Sequence, residues 1–471
     1  NAHIDLERRT VSFRGEQEVS LREGERITVD ANTGTIYRGT AALSDTFLRA
    51  SQLFEQVRDI ADPRRILDSA QRLIAEKVKA VGRETAYDKA TLRSLPRSLL
   101  SGRRVLVRLD FNVPFQDGKI VDTSRIDLAV PTIRMILEAG ATPVVCSHLG
   151  DPGIEEEGLS REQVYETYSL QPVAEHLKQF FPQDVHFLET SVASSGLLIR
   201  KEDLLPGRIN ILENLRFALG EKENDDAFAR SLAGLADGIF VNDAFGVCHR
   251  RHASITGVPQ FLATRLAGLL VEKELHFLGR LLSRPRRPFV ALIGGSNLAA
   301  RVGMIESILP RLDALAAAGE LARILVQPPE EDEPMQENCR RIFQGQKAKL
   351  VLPVDWNEAS VGEPGPHTLT RMLDLLRGAA TIFWNGRLGE TATPLLVREL
   401  ATLSEKGKAV VVCGKQTVRA VRRFGGTEGI THLSSGDEAA LEFIERMTVP
   451  GISCLDPRPQ RRSILSSSIK P

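Results

Sequence analysis

Arg125 in "TSRID", Arg216 in "ENLRF", Arg250 in "CHRRH" and His148 in "SHLGDP" each lie near the end of an apolar stretch. Guanidinium groups grip carboxylate and phosphate oxygens two at a time. Three arginines and a histidine meeting in one cleft would suit a small phosphorylated acid. Asp110 and Asn112 in "DFNVP" would accept from its hydroxyls and orient the arginines. Taken alone, each arginine reads as a surface ion pair and the histidine as a structural residue. Only their convergence argues for a site.

A second stretch, "VALIGGSNLAARVGMIE" (290–306), has the form of a phosphate loop: an apolar strand, Gly294-Gly295, then an amphipathic helix. Free N–H groups at such a turn attract anions. Its first helical turn carries no lysine; Asn297 and Arg301 stand there instead. "GKQT" at 414–417 lacks the preceding glycine spacing of a Walker loop, which argues against a P-loop ATPase.

The elements that would position these residues follow an alternating strand–helix pattern from about residue 96. "RVLVRLDFNVP", "ATPVVCSHLG", "RINILENLRF" and "DGIFVNDAFG" are apolar strands ending in polar residues. This predicts parallel sheets with helices on both faces and ligands at the strands' carboxyl ends, where Asp110, His148, Arg216 and Asp243 fall. A second α/β half is expected over 281–455, with strands in "PFVALIGG", "ARILVQ", "AKLVLPVDW", "TIFWNGRLG" and "KAVVVCGKQT". "PPEEDEP" (328–334) reads as a mobile acidic loop, and 456–471 as a loosely held basic tail. Upstream, residues 1–45 alternate as β structure with a hairpin about Asn32-Thr33-Gly34. Residues 46–95 read as a helical connector. One helix carries Phe47, Leu53, Phe54, Val57 and Ile60; a second is capped at Asp62-Pro63.

Length and composition set outer limits. The 471 residues suffice for roughly three domains at ~150 residues each. Lys+Arg and Asp+Glu both number 61, so nothing in the overall charge favours nucleic acid or an anionic membrane. Cys146, Cys248, Cys339, Cys413 and Cys454 form no CxxC pair. No metal site or disulfide framework is expected, and a reducing, cytoplasmic compartment fits. No apolar run approaches the ~20 residues of a membrane span. The chain opens on Asn1 with no signal-peptide pattern, consistent with a processed chain or a piece of a longer polypeptide.

The chain resembles the phosphoglycerate kinase family over about residues 96–455. "VLVRLDFNVPFQDGKIVDTSRI", "SHLGDP", "LENLRF", "FVNDAFGVCHRRHAS", "AGLLVEKEL", "PFVALIGG" and "WNG" occur in the family's order. The resemblance implies an α/β fold of two Rossmann-like parallel-sheet lobes joined by a hinge, here preceded by a small β module and a helical connector. It places 3-phosphoglycerate on the first lobe (96–280) and Mg-ATP or Mg-ADP on the second (281–455). The implied acid-binding residues are Asp110, Asn112, Arg125, His148, Arg216 and Arg250, with Arg125 also steadying the transferring phosphoryl group. Gly294, Gly295, Arg301 and Asn385 are the implied nucleotide-binding residues, and Arg301 would join Arg125 in catalysis. Residues 1–45 look like the closing strands of the swivelling phosphohistidine domain of phosphoenolpyruvate-utilising enzymes. His3 matches no phosphohistidine loop.

The departures from the family's pattern concentrate around charge. Asp151 stands where the family has an arginine, Asn297 replaces its lysine and Gln416 replaces an aspartate that helps hold Mg-nucleotide. "SSGDEA" replaces a glycine-rich phosphate loop, so Asp437 and Glu438 stand for glycines, and "RLGETATP" follows "WNG". The family's glycine-rich strand and helix are not recognisable between Asn297 and Asn385. The expectation is a phosphoglycerate-kinase-like protein with impaired or absent catalysis. It would act as a binding or assembly module for a small phosphorylated acid, with a protein partner or within a larger fused polypeptide. One alternative is an active kinase with a rearranged nucleotide site built on Arg301 and Lys415; another is a phosphometabolite sensor.

Overall fold

The computed structural model describes residues 87–458 apart from 117, 153–159, 296–300, 330, 344–349 and 358–361, together with short strands within residues 2–38. The chain divides into two compact units, Asn1–Thr85 and Ala86–Pro471. In the first, Thr10–Arg14 pairs antiparallel with Ala2–Asp5 and with Glu18–Arg22. Ile27–Asp30 pairs with Thr35–Arg38 across the expected hairpin.

The second unit holds two six-stranded sheets, parallel throughout. The first comprises β1 (Arg104–Arg108), β2 (Thr142–Cys146), β3 (Val185–Leu188), β4 (Ile209–Leu212), β5 (Ile239–Asn242) and β6 (Thr264–Ala267), in the order β3-β4-β2-β1-β5-β6. Side chains alternate across it: Val105, Val107, Ile209, Ile211 and Val241 enter one core, while Leu106, Cys146, Leu212 and Phe240 enter another. Both faces are therefore covered, which is why these strands read as continuous apolar runs. Helix α1 (Ser124–Glu138) buries Ile126, Ala129, Val130, Ile133 and Ile136, a 3.6-residue stripe.

The second sheet comprises β7 (Phe289–Ile293), β8 (Ala314–Ala317), β9 (Leu350–Val351), β10 (Thr381–Asn385), β11 (Ala409–Cys413) and β12 (His432–Leu433), ordered β9-β8-β7-β10-β11-β12. The order reverses between β7 and β10, so the crevice of this doubly wound sheet opens above Ile293 and Asn385. Helix α2 (Leu269–Ser283) links the lobes. Residues 456–458 return to the first lobe: Asp456 accepts from the backbone N–H and guanidinium of Arg265, and its carbonyl accepts from Ala90 N–H.

Several expectations are corrected. "ARILVQ" is not a strand: all of it but Gln327 belongs to α3 (Gly319–Val326), which buries Leu321, Ala322 and Leu325. The strand lies just upstream in "ALAA", alanines drawn into the sheet by partners on both sides. A strand and helix thus do occupy the span where none was recognisable, in alanine-rich form. The acidic loop is shorter than expected, because a helix starts at Glu333. Asp332 caps it by accepting from Met335 N–H at 2.9 Å. The connector expected over 46–95 lies outside the described residues up to 86. Its remainder, 87–95, is extended chain and a single 3-10 turn, bridged at Thr91 to Ala267. Residues 456–458 of the expected tail are held on the first lobe; the rest lies outside the described residues. Among the described residues no helix is long and apolar enough to cross a membrane.

Candidate functional site

The loops leaving β1, β2, β4 and β5, with the first turn of α1 that carries Arg125, bring the six residues expected to hold an acid to one edge of the first lobe. Asp110, two residues past β1, accepts from Arg125 Nη1 at 2.5 Å and from Asn112 N–H at 3.1 Å. Asn112 Oδ1 in turn accepts from Gly150 N–H at 3.0 Å. Gly150 carbonyl accepts from Arg216 Nη1. Asp110 therefore orients Arg125, and Asn112 ties the β1 loop to the β2 loop that carries His148 and, through Gly150, to Arg216 on the β4 loop.

Beneath them lies a buried network that the sequence reading missed. Arg108, the last residue of β1, is 1% exposed. Its Nε donates to Ser254 Oγ at 2.7 Å, and Ser254 Oγ donates to Glu221 at 2.6 Å. Glu221, fully buried, balances the arginine's charge through one hydroxyl. Arg108 Nη2 lies 3.1 Å from His148 Nδ1. A guanidinium has only donors, so Nδ1 accepts and the imidazole proton resides on Nε2. Burial first, then the charges of Arg108, Arg216 and Arg125, hold His148 well below its usual 6.5. It is neutral at physiological pH. His148 Nε2 and Arg216 Nε are both buried with no hydrogen-bond partner among the described residues. Two orphaned donors at one edge are the arrangement an anionic oxygen would satisfy.

Two acids press on this cluster. Asp151 pairs with Lys222 at 2.9 Å and lies 3.8 Å from Arg216. Burial lowers the Arg216 guanidinium, and Asp151 opposes that shift. Arg250 donates to Glu438 of the second lobe at 3.1 Å. Asp243 differs from the other strand-end residues. Fully buried, it accepts from Thr132 Oγ1 and from Leu270 and Val271 N–H, capping α2, and burial pushes it up to about 6. It is a capping residue and does not join the cluster.

In the second lobe, Gly294, Gly295, Arg301 and Asn385 also meet, but their polar groups are already engaged. Gly294 N–H donates to Asn385 carbonyl at 2.8 Å and Gly295 N–H to Arg387 carbonyl at 3.0 Å. Arg301 Nε donates to Asn385 Oδ1 at 3.2 Å. Asn385 Nδ2 donates to Cys413 carbonyl, and Thr417 Oγ1 accepts from Gly386 N–H. A Cβ on Gly386 would stand 2.1 Å from Gly294 carbonyl oxygen, so these glycines let the segments just past β7 and β10 approach closely. Helix α4 (Lys415–Arg423) starts beside this close approach, and its first N–H, on Lys415, donates to Asp437 Oδ1 at 3.1 Å. Asn297 lies outside the described residues.

Residues 96–446 match the family described as phosphoglycerate kinase. Phosphoglycerate kinase of Synechococcus sp. (strain JA-2-3B'a(2-13)) is 36% identical over 414 residues, covering 78% of this chain and 99% of that protein. That of Salinispora tropica is 37% identical over 412 residues, with the same coverage. The solved structure of phosphoglycerate kinase from Coxiella burnetii, 28% identical, superposes with a TM-score of 0.66 over 78% of this chain and 98% of that one. With two parallel-sheet lobes in the family's order and this breadth of similarity, the chain belongs to the phosphoglycerate kinase family.

Proposed function

We propose that this protein holds a small phosphorylated acid on its first lobe and has lost ordinary phosphoryl transfer on its second. The observation that carries the reading is the seat of Asp437. Its carboxylate takes the first N–H of α4, where a helix N-terminus would otherwise receive a nucleotide phosphate. A tethered anion competes there with any phosphate and repels it.

Further features support this. Gly294 and Gly295 N–H are spent on backbone carbonyls. Gln416 stands where the family places an aspartate for Mg-nucleotide. These residues do not fit Mg-ATP or Mg-ADP. Phosphoryl transfer rests on positioning and charge stabilisation. Loss of one preorganised donor typically costs about 3 kcal/mol, or roughly 10²–10³ in rate, and several such losses combine without simply adding. The acid side keeps its machinery: Arg125, Arg216 and Arg250 supply charge, and His148 Nε2 and Arg216 Nε await an acceptor. In the alternative of an active kinase built on Arg301 and Lys415, Arg301 would first have to leave Asn385.

Residues 1–95 lie outside the family match. The antiparallel strands within residues 2–38 support reading residues 1–45 as a β module related to the swivelling domain, and the whole is read as a binding or assembly component within a larger fused polypeptide.

Calorimetry with 3-phosphoglycerate, Mg-ADP and Mg-ATP, together with a coupled turnover assay, tests the reading. Heat with 3-phosphoglycerate alone and turnover reduced by about 10³ or more relative to the family is expected. Nucleotide binding with family-like turnover would overturn it.

A further inference from the structure

Each of the three acids that depart from the family's pattern rests on part of the anion-binding apparatus. Asp151 sits on Lys222 and near Arg216, and Asp437 on the first N–H of α4. Glu438 opens α5 (Glu438–Arg446) and reaches across to the first lobe. Its Oε2 lies 3.1 Å from Arg250 Nη2 and 3.3 Å from His249 Nε2. Arg422 of α4 crosses the same cleft to Asp122 at 3.3 Å. The loop that leads through Asp437 into α5 lies against the acid cluster itself: a Cβ on Gly246 would meet both Asp110 Oδ2 and Ser435 carbonyl oxygen.

We infer that Glu438 is an internal ligand of Arg250, a carboxylate from the second lobe that a phosphorylated acid must displace to bind the first. This rests on the reading that the first lobe takes such an acid. The chemistry is matched, because a carboxylate and a phosphate compete for the same guanidinium donors. Tethering gives Glu438 a high effective concentration at that arginine. Its side chain is 68% exposed and that of Arg250 52%. An exposed pair of this kind is weak, so it acts as a displaceable competitor and not as a lock. Ligand arrival would free Glu438 and loosen one of the contacts that cross the cleft. Acid binding on one lobe would thereby be reported to the other.

His249 provides a reporter that needs no ligand. Burial, then Arg250, lowers its imidazole, while Glu438 and Glu442 of α5 oppose that shift. The test compares the full chain with Glu438→Gln and with Glu442→Gln. Histidine NMR titration reads the seat, and calorimetry with 3-phosphoglycerate reads the competition. With Glu438→Gln the His249 pKa should fall further and 3-phosphoglycerate should bind about two- to fivefold tighter, the range an exposed ion pair supplies. Glu442→Gln should leave that affinity unchanged. An unmoved His249 in Glu438→Gln would show that the carboxylate does not sit there, and would overturn the inference. Equal tightening in both variants would mean a general field effect, and would overturn it too. Absence of 3-phosphoglycerate heat in all three proteins would refute the proposed function and the competition together, and the His249 titration would still show whether Glu438 holds its seat.

Discussion

Arg108 and His148 share a buried contact that decides what the histidine can do: Arg108 Nη2 to His148 Nδ1, 3.1 Å. Because the arginine can only donate, the histidine's free proton resides on Nε2. Burial first, and then the positive charge that fixes this tautomer, keep the ring neutral. The result is a neutral hydrogen-bond donor set among arginines, suited to a phosphate or carboxylate oxygen.

His148→Gln should weaken 3-phosphoglycerate binding about tenfold, the value of one hydrogen bond to a charged acceptor. Calorimetry measures it, with circular dichroism to confirm the fold. The same histidine predicts a pH effect. Its folded pKa lies below the unfolded 6.5, so the unfolded chain gains a proton that the folded chain refuses. Its contribution to stability is present above about pH 6.5 and declines as pH falls below it. Denaturant midpoints from pH 8 to 5 should fall less in His148→Gln than in the parent; parallel curves would refute the assignment.

Asp151→Asn removes a carboxylate 3.8 Å from Arg216 and releases Lys222. Affinity for 3-phosphoglycerate should rise about three- to tenfold at low salt, and the gain should shrink near 1 M salt as charges are screened. No gain at low salt would mean that Asp151 lies outside the field of the bound anion.

Gly386→Ala tests whether the second-lobe glycines serve the scaffold. The residue has φ +93°, and an added Cβ would meet Gly294 carbonyl oxygen at 2.1 Å. Ligand-free stability should drop by about 3 kcal/mol or more through overpacking and strain. A parent-like melting temperature would show that these glycines are not needed for the close approach.

Asp237 gives an acid-side window. Burial alone would raise its carboxyl, but hydrogen bonds from the Arg104 side chain and N–H, with help from Lys201, outweigh that and hold it at about 2. Its folded pKa lies below the unfolded 3.8, so its contribution is present above about pH 4 and lost as pH falls through 2. The site is partly solvated, so Asp237→Asn should cost about 1 kcal/mol at pH 7. The difference from the parent should vanish near pH 2 in urea titrations; a pH-independent difference would locate the loss elsewhere.

Period and punctuation made much of the fold readable. Buried parallel strands announce themselves as apolar runs such as "RVLVRLD" and "PFVALIGG", because both their faces are covered. The residues at their carboxyl ends were readable as site candidates for the same topological reason. "ALAA" was not, since alanine has little strand preference of its own and only the neighbouring strands β7 and β9 hold it there. "ARILVQ" misled because a short apolar run fits strand and helix alike.

By itself, then, the sequence determined the two α/β lobes, the residue types expected to hold an acid and the acids at Asp151, Asp437 and Glu438, because these are properties of local pattern and composition. The tertiary structure decided what each group does. Arg108 reads locally as an ordinary strand residue, and only folding brings it to Ser254, 146 positions away, and through it to Glu221. Asp243 stood beside the site residues in sequence, yet packing turns it onto the start of α2. Glu438 met Arg250 only once the lobes came together, across 188 positions of chain. Charge partners and proton positions depend on distances of a few ångströms between remote segments, and no local pattern encodes those.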